Sequence, residues 1–285
     1  WRYNNMPNIM IQGTASSAGK SIMCTALCKI FREDGYKVAP FKSQNLSSKF
    51  YETKEGYKMS TAQALQAKAC GLEPSPNFNP ILLLFNSEGQ TDVIIKGKFY
   101  KKMGALEYSD YKSFLKTMIT ETYKELEKEY EILVLEGAGS PAEINLNKND
   151  IVNMGMARIA DAPVLLVADI DRGGVFASLY GTVMLLKEEE RKRIKGLIIN
   201  KFRGDKSLLE SGIEKIEKLL NIPVVGVIPF VHLELVDEDS LVDYEKRCNS
   251  TYQKEEELEA ELSKLSKIVR EYMDMDYVYS LLKLK

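Results

Sequence analysis

The sequence predicts a doubly wound α/β fold, in which helices cover both faces of a mostly parallel sheet. Two observations support this prediction. Short apolar segments alternate with segments of helical periodicity, and four of the later apolar segments are almost continuous in Val, Ile and Leu. The alternation is typical of β-α-β units, and strands without alternating polar residues are typical of a sheet that is buried on both faces.

The elements of this fold are expected within about the first 235 residues. Strands are predicted at 8–12, 37–41, 131–137, 163–171, 194–202 and 222–230. Helices are predicted at 21–35, 59–70, 108–130, 174–190 and 206–220. The segment 72–107 has three prolines and then two apolar runs, and we expect a strand or a hairpin there.

The end of the chain has a different composition and is expected to form a helical tail. We place the synthetase-like domain at 1–245 and the tail at 246–285. The tail is highly charged, but it carries apolar residues at helical spacing, namely Leu258, Leu262, Leu265, Val269 and Tyr272. This pattern predicts an amphipathic helix that packs on the core or on a partner. A helix surrounded by solvent is the alternative.

Composition excludes several classes of function. The chain has 39 basic and 41 acidic residues, so no global field recruits nucleic acid or an anionic membrane. No apolar run approaches the ~20 residues that span a bilayer, and no signal peptide opens the chain, so we expect a cytoplasmic protein. Four irregularly spaced cysteines disfavour a disulfide scaffold or a zinc site. The single histidine, His232, disfavours a Ser-His-Asp or Cys-His mechanism.

A phosphate-binding motif, "MIQGTASSAGKS", joins the first predicted strand to the first predicted helix. The common form is G-x-x-x-x-G-K-[ST], but here Thr14 holds the first glycine position and the glycine is Gly13. Gly13 permits a sharp turn, and Gly19 permits a close approach of the backbone to phosphate. Lys20 can reach the β- and γ-phosphates, and Ser21 can ligate Mg²⁺. The segment, hereafter the P-loop (residues 13–21), therefore predicts a nucleotide site.

Polar residues also end four other predicted strands, and these ends should meet at one edge of the sheet. The residues are Lys42 in "APFKSQN", Glu136 in "LVLEGAG", Asp169, Asp171 and Arg172 in "VADIDRGG", and Asn200 and Lys201 in "IINKFRGD". Phosphoryl transfer needs an acidic metal ligand and positive charge near the γ-phosphate, which Glu136 and Lys42 can supply. The amide of Asn200 can read a base edge. The sequence thus predicts a site that uses ATP and Mg²⁺.

Several long strings resemble the amino-terminal synthetase domain of the cobyric acid synthase family. They are "QGTASSAGKS", "APFKSQN", "AQALQAKACGLEP", "LEGAGSPAEINL", "DIVNMGMA", "ADAPVLLVADIDRGGVFASLYGT" and "GLIINKFRGD", and the resemblance covers about residues 8–245. That domain is similar to dethiobiotin synthetase, which has the same shifted glycine. The resemblance implies a P-loop NTPase fold and amidation of peripheral carboxylates of adenosylcobyrinic acid a,c-diamide, a corrinoid. ATP would activate each carboxylate as an acyl phosphate.

The resemblance also implies roles for individual residues. Ser21 and Glu136 would hold Mg²⁺, while Lys20, Lys42 and Asp150 would act at the transferred phosphate and the reacting carboxylate. The implied nucleotide contacts are Gly13, Thr14, Ala15, Ser16, Ser17, Ala18, Gly19, Lys20, Ser21 and, beside adenine, Asn200. The implied substrate contacts are Gln44, Asn45, Asp171 and Arg172.

The sequence departs from the family in two respects. Members usually carry a glutamine amidotransferase domain, whereas this chain has one histidine and a tail that resembles the extreme carboxyl end of full-length members. We therefore expect residues 243–252 to span the join left by a missing domain, and ammonia to come from free ammonium or a separate glutaminase subunit. In addition, Lys58, Thr61 and Leu84 stand where the family tends to have an acid, an arginine and a lysine. Such changes can alter which substrate binds.

Three functions are consistent with these features. The first is the corrinoid amide ligase, with a homodimer as a conceivable assembly and no nucleic acid or membrane partner. The second is a switch ATPase similar to partitioning and assembly ATPases, which the carboxylate-related string "GAGSPAEINL" disfavours. The third is an inactive scaffold that binds nucleotide without chemistry, for which the changes at Lys58, Thr61 and Leu84 argue.

Overall fold

A parallel sheet of six strands lies at the centre of the molecule in the computed structural model, which describes residues 7–85, 91–146, 150–232 and 255–284. Its strands are β1 (Asn8–Gly13), β2 (Val38–Phe41), β9 (Ile132–Glu136), β10 (Val164–Asp169), β11 (Ile194–Phe202) and β12 (Val224–Pro229). They are ordered β12-β11-β10-β1-β9-β2, and every neighbouring pair is parallel. The predicted fold class is confirmed.

A second, smaller sheet follows β2 along the chain. Its strands are β3 (Gln44–Ser47), β6 (Ile81–Phe85), β7 (Thr91–Ile95) and β8 (Lys98–Met103), in the order β3-β6-β7-β8. The strands β6, β7 and β8 are antiparallel to their neighbours in turn, whereas β3 and β6 are parallel. The hairpin expected within 72–107 is therefore confirmed as part of a mixed sheet. A short ladder of β4 (Tyr51–Glu52) and β5 (Lys58–Met59) completes the strands that the structure describes.

Helices connect and cover these strands. They are α1 (Lys20–Glu33), α2 (Thr61–Ala69), α3 (Ala105–Glu129), α4 (Met154–Ile159), α5 (Val175–Leu185), α6 (Glu188–Arg191), α7 (Glu210–Leu220), α8 (Glu255–Tyr272) and α9 (Met275–Leu281). The single helix predicted at 174–190 is wrong, because Leu186 and Lys187 are extended, and the separate helix α6 starts after them, where Glu190 Oε2 accepts from the backbone amide of Lys187 at 3.3 Å. The short helix α4 was not predicted. No helix among the described residues is long and apolar enough to cross a membrane.

The central sheet is buried on both faces, as its apolar strands predict. Alternate residues of β1 belong to different cores: Met10 packs on one face, and Ile9 and Ile11 pack on the other. The first core includes side chains of α3, α4 and α5, and the second includes side chains of α1 and the tail helices. This two-sided burial holds the sheet in place, and its parallel strands β1, β9, β10 and β11 all end at the same edge.

The charged tail packs on helix α1, which confirms the predicted amphipathic helix. Leu262, Leu265 and Val269 are buried in the core beside α1, whereas Tyr272 is 41% exposed and does not extend the apolar face as its spacing predicted. The buried Lys29 of α1 pairs with Glu259 of the tail. The proposed domain boundary at 245/246 and the join at 243–252 lie outside the described residues.

Candidate nucleotide-binding site

The P-loop turns sharply between β1 and α1 at the carboxyl edge of the central sheet. The backbone amide of Thr14 donates to the carbonyl of Val167 in β10 at 2.9 Å. A Cβ at position 13 would lie 3.0 Å from both the Ala15 carbonyl oxygen and Cγ of Lys20. This crowding explains the displaced glycine: the residue that must lack a side chain here is Gly13, and Thr14 has room for one.

The side of the loop that faces β11 is held by Asn200 and Lys201. Asn200 Nδ2 donates to the Ala18 carbonyl at 3.0 Å, and Lys201 Nζ donates to the Ser17 carbonyl at 2.8 Å and to Asp169 Oδ2 at 2.8 Å. In these positions the amide of Asn200 supports the P-loop. Its predicted contact with adenine is a separate role that stays a prediction.

Lys20 lies between two loops. Its Nζ donates to the Ala15 carbonyl at 2.9 Å and to the Gly139 carbonyl at 3.1 Å, the latter in the loop after β9. The ammonium is therefore placed among backbone oxygens beside the amides that are expected to bind phosphate. This location fits the predicted contact of Lys20 with the β- and γ-phosphates.

A buried carboxylate, Glu136, forms the other side of the site. It is 1% exposed and ends β9, the neighbour of β1. Its Oε1 accepts from Ser21 Oγ at 2.8 Å and from Lys42 Nζ at 2.7 Å. Its Oε2 accepts from Gln63 Nε2 at 2.9 Å and from Gln66 Nε2 at 2.5 Å. The structure thus brings together Ser21, Lys42 and Glu136 as the sequence predicted, and it adds two glutamines.

The two glutamines were missed by the sequence analysis. They lie three residues apart in "AQALQAKACGLEP", so a helix places both on one face. Both side chains are fully buried, which is unusual for glutamine. Two amides at this spacing in a buried helix are a usable signal, but only the tertiary structure shows which group they contact.

The residues beside the P-loop fit a magnesium ion. Mg²⁺ binds oxygen ligands at about 2.1 Å in octahedral geometry, so adjacent ligands lie about 3.0 Å apart. The distance from Ser21 Oγ to Glu136 Oε1 is 2.8 Å, close to that value. Within the described ranges no group of three or more His, Cys, Asp or Glu side chains could hold a metal. A site of one hydroxyl, one carboxylate, phosphates and water is the usual arrangement for Mg²⁺ beside a nucleotide.

Asp150 supports the loop after β9 through the start of α4. Its Oδ1 accepts from the amides of Val152 and Asn153 at 2.8 and 2.9 Å, and its Oδ2 accepts from the amide of Gly155 at 2.6 Å. Asn153 in turn accepts from the amide of Ala138 at 3.1 Å and donates to its carbonyl at 2.7 Å. Because both carboxylate oxygens of Asp150 are bonded to backbone, the geometry favours a supporting role over direct contact with a substrate.

The four predicted substrate contacts are not brought together. Gln44 and Asn45 lie in β3, beyond β2, where Gln44 Oε1 accepts from Tyr108 OH at 2.6 Å. Burial raises the pKa of Tyr108, which keeps this hydroxyl a donor. Asp171 and Arg172 follow β10 on the opposite side of the P-loop; Asp171 pairs with Arg203, and Arg172 is 70% exposed on its side chain. A substrate that contacts all four would have to extend across the P-loop.

Comparison with known proteins identifies the family. The family model described as the CobQ/CobB/MinD/ParA nucleotide binding domain (CbiA) matches residues 9–241. The chain belongs to this family. The CobQ/CobB/MinD/ParA match contains the P-loop, Glu136, Asn200 and both buried glutamines.

Curated proteins that are highly similar to this chain carry the name cobyric acid synthase. The chain is 57% identical over 234 residues to that of Alkaliphilus metalliredigens, covering 82% of this chain and 46% of the relative. It is 55% identical over 243 residues to that of Clostridium botulinum strain 657, covering 85% and 49%. The chain therefore spans about half the length of the curated relatives it matches. The signal recognition particle receptor FtsY of Elizabethkingia anophelis is a solved structure with a TM-score of 0.46 at 15% identity, covering 80% of this chain and 58% of that one.

The three departures from the cobyric acid synthase pattern have ordinary structural environments. Lys58 Nζ lies 4.3 Å from the ring centroid of Phe50, and Thr61 is the first residue of α2. Leu84 is buried in a small apolar cluster with Leu82 and Ile94. None of them takes part in the four hydrogen bonds to Glu136 described above, which come from Ser21, Lys42, Gln63 and Gln66.

Proposed function

We propose that this chain is an ATP-dependent carbon–nitrogen ligase that amidates peripheral carboxylates of (adenosyl)cobyrinic acid a,c-diamide. The observation that carries the proposal is the cluster of Ser21, Lys42 and Glu136 beside the P-loop, in a chain that is 57% identical over 234 residues to a protein named cobyric acid synthase. ATP, Mg²⁺ and the corrinoid are the proposed small molecules, and the product belongs to cobalamin biosynthesis.

The chemistry requires activation of a poor electrophile. A substrate carboxylate oxygen attacks the γ-phosphorus of ATP and ADP leaves; ammonia then attacks the acyl phosphate carbon, and phosphate leaves with loss of a proton from nitrogen. Loop amides and the ammonium groups of Lys20 and Lys42 are preorganised positive charge for the phosphoryl group. Mg²⁺, when bound by Ser21 and Glu136, supplies further neutralisation of phosphate charge. These residues bind and orient; the reacting atoms belong to ATP, the acid and ammonia.

The ammonia source is a separate part of the proposal. We expect the chain to use free ammonium, or ammonia that a separate glutaminase subunit releases. This expectation is tested by comparing ammonium with glutamine as nitrogen donor in the same reaction, with and without an added glutaminase.

The decisive assay combines ATP, Mg²⁺, isotopically labelled ammonium and the corrinoid diamide, followed by mass spectrometry. Each amidation should add one labelled nitrogen. Heavy oxygen placed in the substrate carboxylates should appear in inorganic phosphate, because the acyl phosphate transfers one carboxylate oxygen. Lys42→Met should abolish product. Lys54→Met should not, because the ammonium of Lys54 is exposed and pairs with Glu73. No product at high ammonium would refute the ligase.

A second candidate is a nucleotide-binding scaffold, which the substitutions at Lys58, Thr61 and Leu84 favour. In that case ATP binds, but no acid is amidated and ATP is not hydrolysed. A switch ATPase gives a third pattern, in which protein or DNA stimulates ATP turnover and no acid does. The same reaction mixtures, with phosphate release measured alongside product, separate the three functions.

A further inference from the structure

We infer that Gln63 and Gln66 are positioning residues that orient Glu136 as a metal ligand, an inference that rests on the proposed function. The juxtaposition that carries it is direct: both glutamine amides donate to the same carboxylate oxygen, Oε2, at 2.9 and 2.5 Å. The other oxygen, Oε1, is the one that faces Ser21 and Lys42.

This arrangement divides the two carboxylate oxygens between different tasks. The terminal torsion of a glutamate side chain has a broad energy profile, so rotation about it exchanges the two oxygens at little cost. Two amide donors on Oε2 remove that freedom, because turning the carboxylate would break both hydrogen bonds inside a buried site. Oε1 is therefore fixed 2.8 Å from Ser21 Oγ, the separation that suits two adjacent ligands of Mg²⁺.

The network also links the glutamines to each other and to the P-loop helix. Gln63 Nε2 lies 3.4 Å from Gln66 Oε1, and Gln66 Nε2 lies 3.5 Å from the carbonyl of Ser21. These longer contacts are weak, and the direction of each amide is set by the carboxylate itself, because only the amide nitrogen can donate to it. Helix α2 thus sets the orientation of Glu136 through Oε2, the oxygen that does not contact Ser21 or Lys42.

The glutamine amides are suited to this task because they carry no charge. Lys42 already places one cation at Oε1 of this carboxylate, and an amide at Oε2 holds the second oxygen without adding another positive charge. Partners of this kind, one step removed from the metal, typically change its affinity by about 10- to 100-fold when they are lost.

The test measures metal binding without requiring turnover. Mn²⁺ replaces Mg²⁺ as a paramagnetic probe, and free Mn²⁺ is counted by electron paramagnetic resonance during titration of the full chain with ADP present. Gln63→Met and Gln66→Met each remove one donor with little change in side-chain size. Gln12→Met is the matched control, since Gln12 is also a fully buried glutamine near the P-loop but donates to the sulfur atoms of Met10 and Met154.

We expect Gln63→Met and Gln66→Met each to weaken Mn²⁺ binding by about tenfold or more, and Gln12→Met to leave it unchanged. Affinity for ADP without metal should be the same in all variants, which a general loss of structure would not allow. Each glutamine makes its own hydrogen bond to Glu136, so if one variant fails to fold, the other variant still tests the inference. Urea unfolding shows whether a variant has failed to fold.

Two results would overturn the inference in distinguishable ways. If Glu136→Gln loses Mn²⁺ binding but both glutamine variants keep it, Glu136 is a ligand and the glutamines do not position it. If Glu136→Gln itself keeps wild-type Mn²⁺ affinity, the metal role of Glu136 in the proposed function is wrong, and the inference falls with it. Absence of amidation in a protein that shows the expected Mn²⁺ pattern would instead refute only the ligase.

Discussion

Replacing Gly19 by alanine should abolish nucleotide binding, and the structure separates two reasons for it. Gly19 has φ +106°, a backbone conformation that residues with a side chain rarely adopt. In addition, a Cβ at this position would lie 2.0 Å from Asn200 Nδ2, so Asn200 must move. Its hydrogen bond to the Ala18 carbonyl is then lost, and the P-loop keeps only the support that Lys201 of β11 gives to the Ser17 carbonyl.

The two effects have different magnitudes and different consequences. A non-glycine residue in a strained backbone conformation costs about 1–3 kcal/mol. Displacing a buried amide from its carbonyl costs about 1–3 kcal/mol more, so Gly19→Ala should destabilise the protein by about 2–6 kcal/mol in total. Gly35→Ala is the control for the first effect alone, because Gly35 has φ +91° but nothing lies within 4 Å of its Cβ position.

Urea unfolding and isothermal titration calorimetry with ATP and Mg²⁺ measure both consequences. Gly35→Ala should lose only the backbone contribution to stability and should bind ATP like the wild type. Gly19→Ala should lose more stability and give no binding heat. The double variant Gly19→Ala/Asn200→Ala should be less destabilised than the sum of the two single variants, because the collision is absent. Wild-type ATP affinity in Gly19→Ala, or strict additivity in the double variant, would refute this reasoning.

Three further predictions follow from buried groups elsewhere in the molecule. Lys42→Met should lower the unfolding free energy by about 3–5 kcal/mol near neutral pH, because Glu136 keeps its buried charge without its cation; urea unfolding that matches the wild type would contradict this. Leu265→Ala should cost about 2–5 kcal/mol if the tail helix is part of the core, which the same measurement checks. Burial raises the pKa of Cys24 and Cys28 well above the usual value. The unfolded chain therefore loses these protons first, and unfolding free energy should fall above about pH 9, by up to about 1.4 kcal/mol per pH unit for each thiol; a flat stability profile there would contradict it.

The sequence predicts the parts of the site that depend on strand ends. Parallel strands must present their carboxyl ends at one edge, so Lys42, Glu136 and Asn200 could be placed near the P-loop from position alone. Ser21 and Lys20 follow from the motif. The two-sided burial of the central strands follows equally from their composition, since the later strands are nearly continuous in Val, Ile and Leu.

Other parts of the site depend on contacts between distant segments, and the sequence could not predict them. The amides of Gln63 and Gln66 reach Glu136 across 73 and 70 residues of chain. The contact of Asn200 with Ala18 spans 182 residues and gives this residue a supporting role in the P-loop that its position alone did not indicate, while its contact with adenine stays a prediction. The resemblance implies a place for Asp150 near the reacting carboxylate, which stays a prediction, and the structure adds local backbone amides on both of its oxygens. Asn200 and Asp150 were found from the sequence but their partners were not, whereas the two glutamines were missed altogether.

Lys20 and Lys42 differ in the partners that their ammonium groups must leave in order to contact a phosphate. This difference bears on the order in which the two lysines would act. Lys20 Nζ donates to two backbone carbonyls, which are neutral, so a phosphate oxygen is the stronger acceptor and can replace them readily. Lys42 Nζ is paired with a buried carboxylate, and releasing it would leave Glu136 with a buried charge that no cation balances. Lys42 can therefore turn to a phosphoryl group only when another cation satisfies Glu136. Under the proposed function, metal binding at Glu136 would therefore make the charge of Lys42 available to the phosphoryl group, and Lys20 would be the residue of initial nucleotide binding.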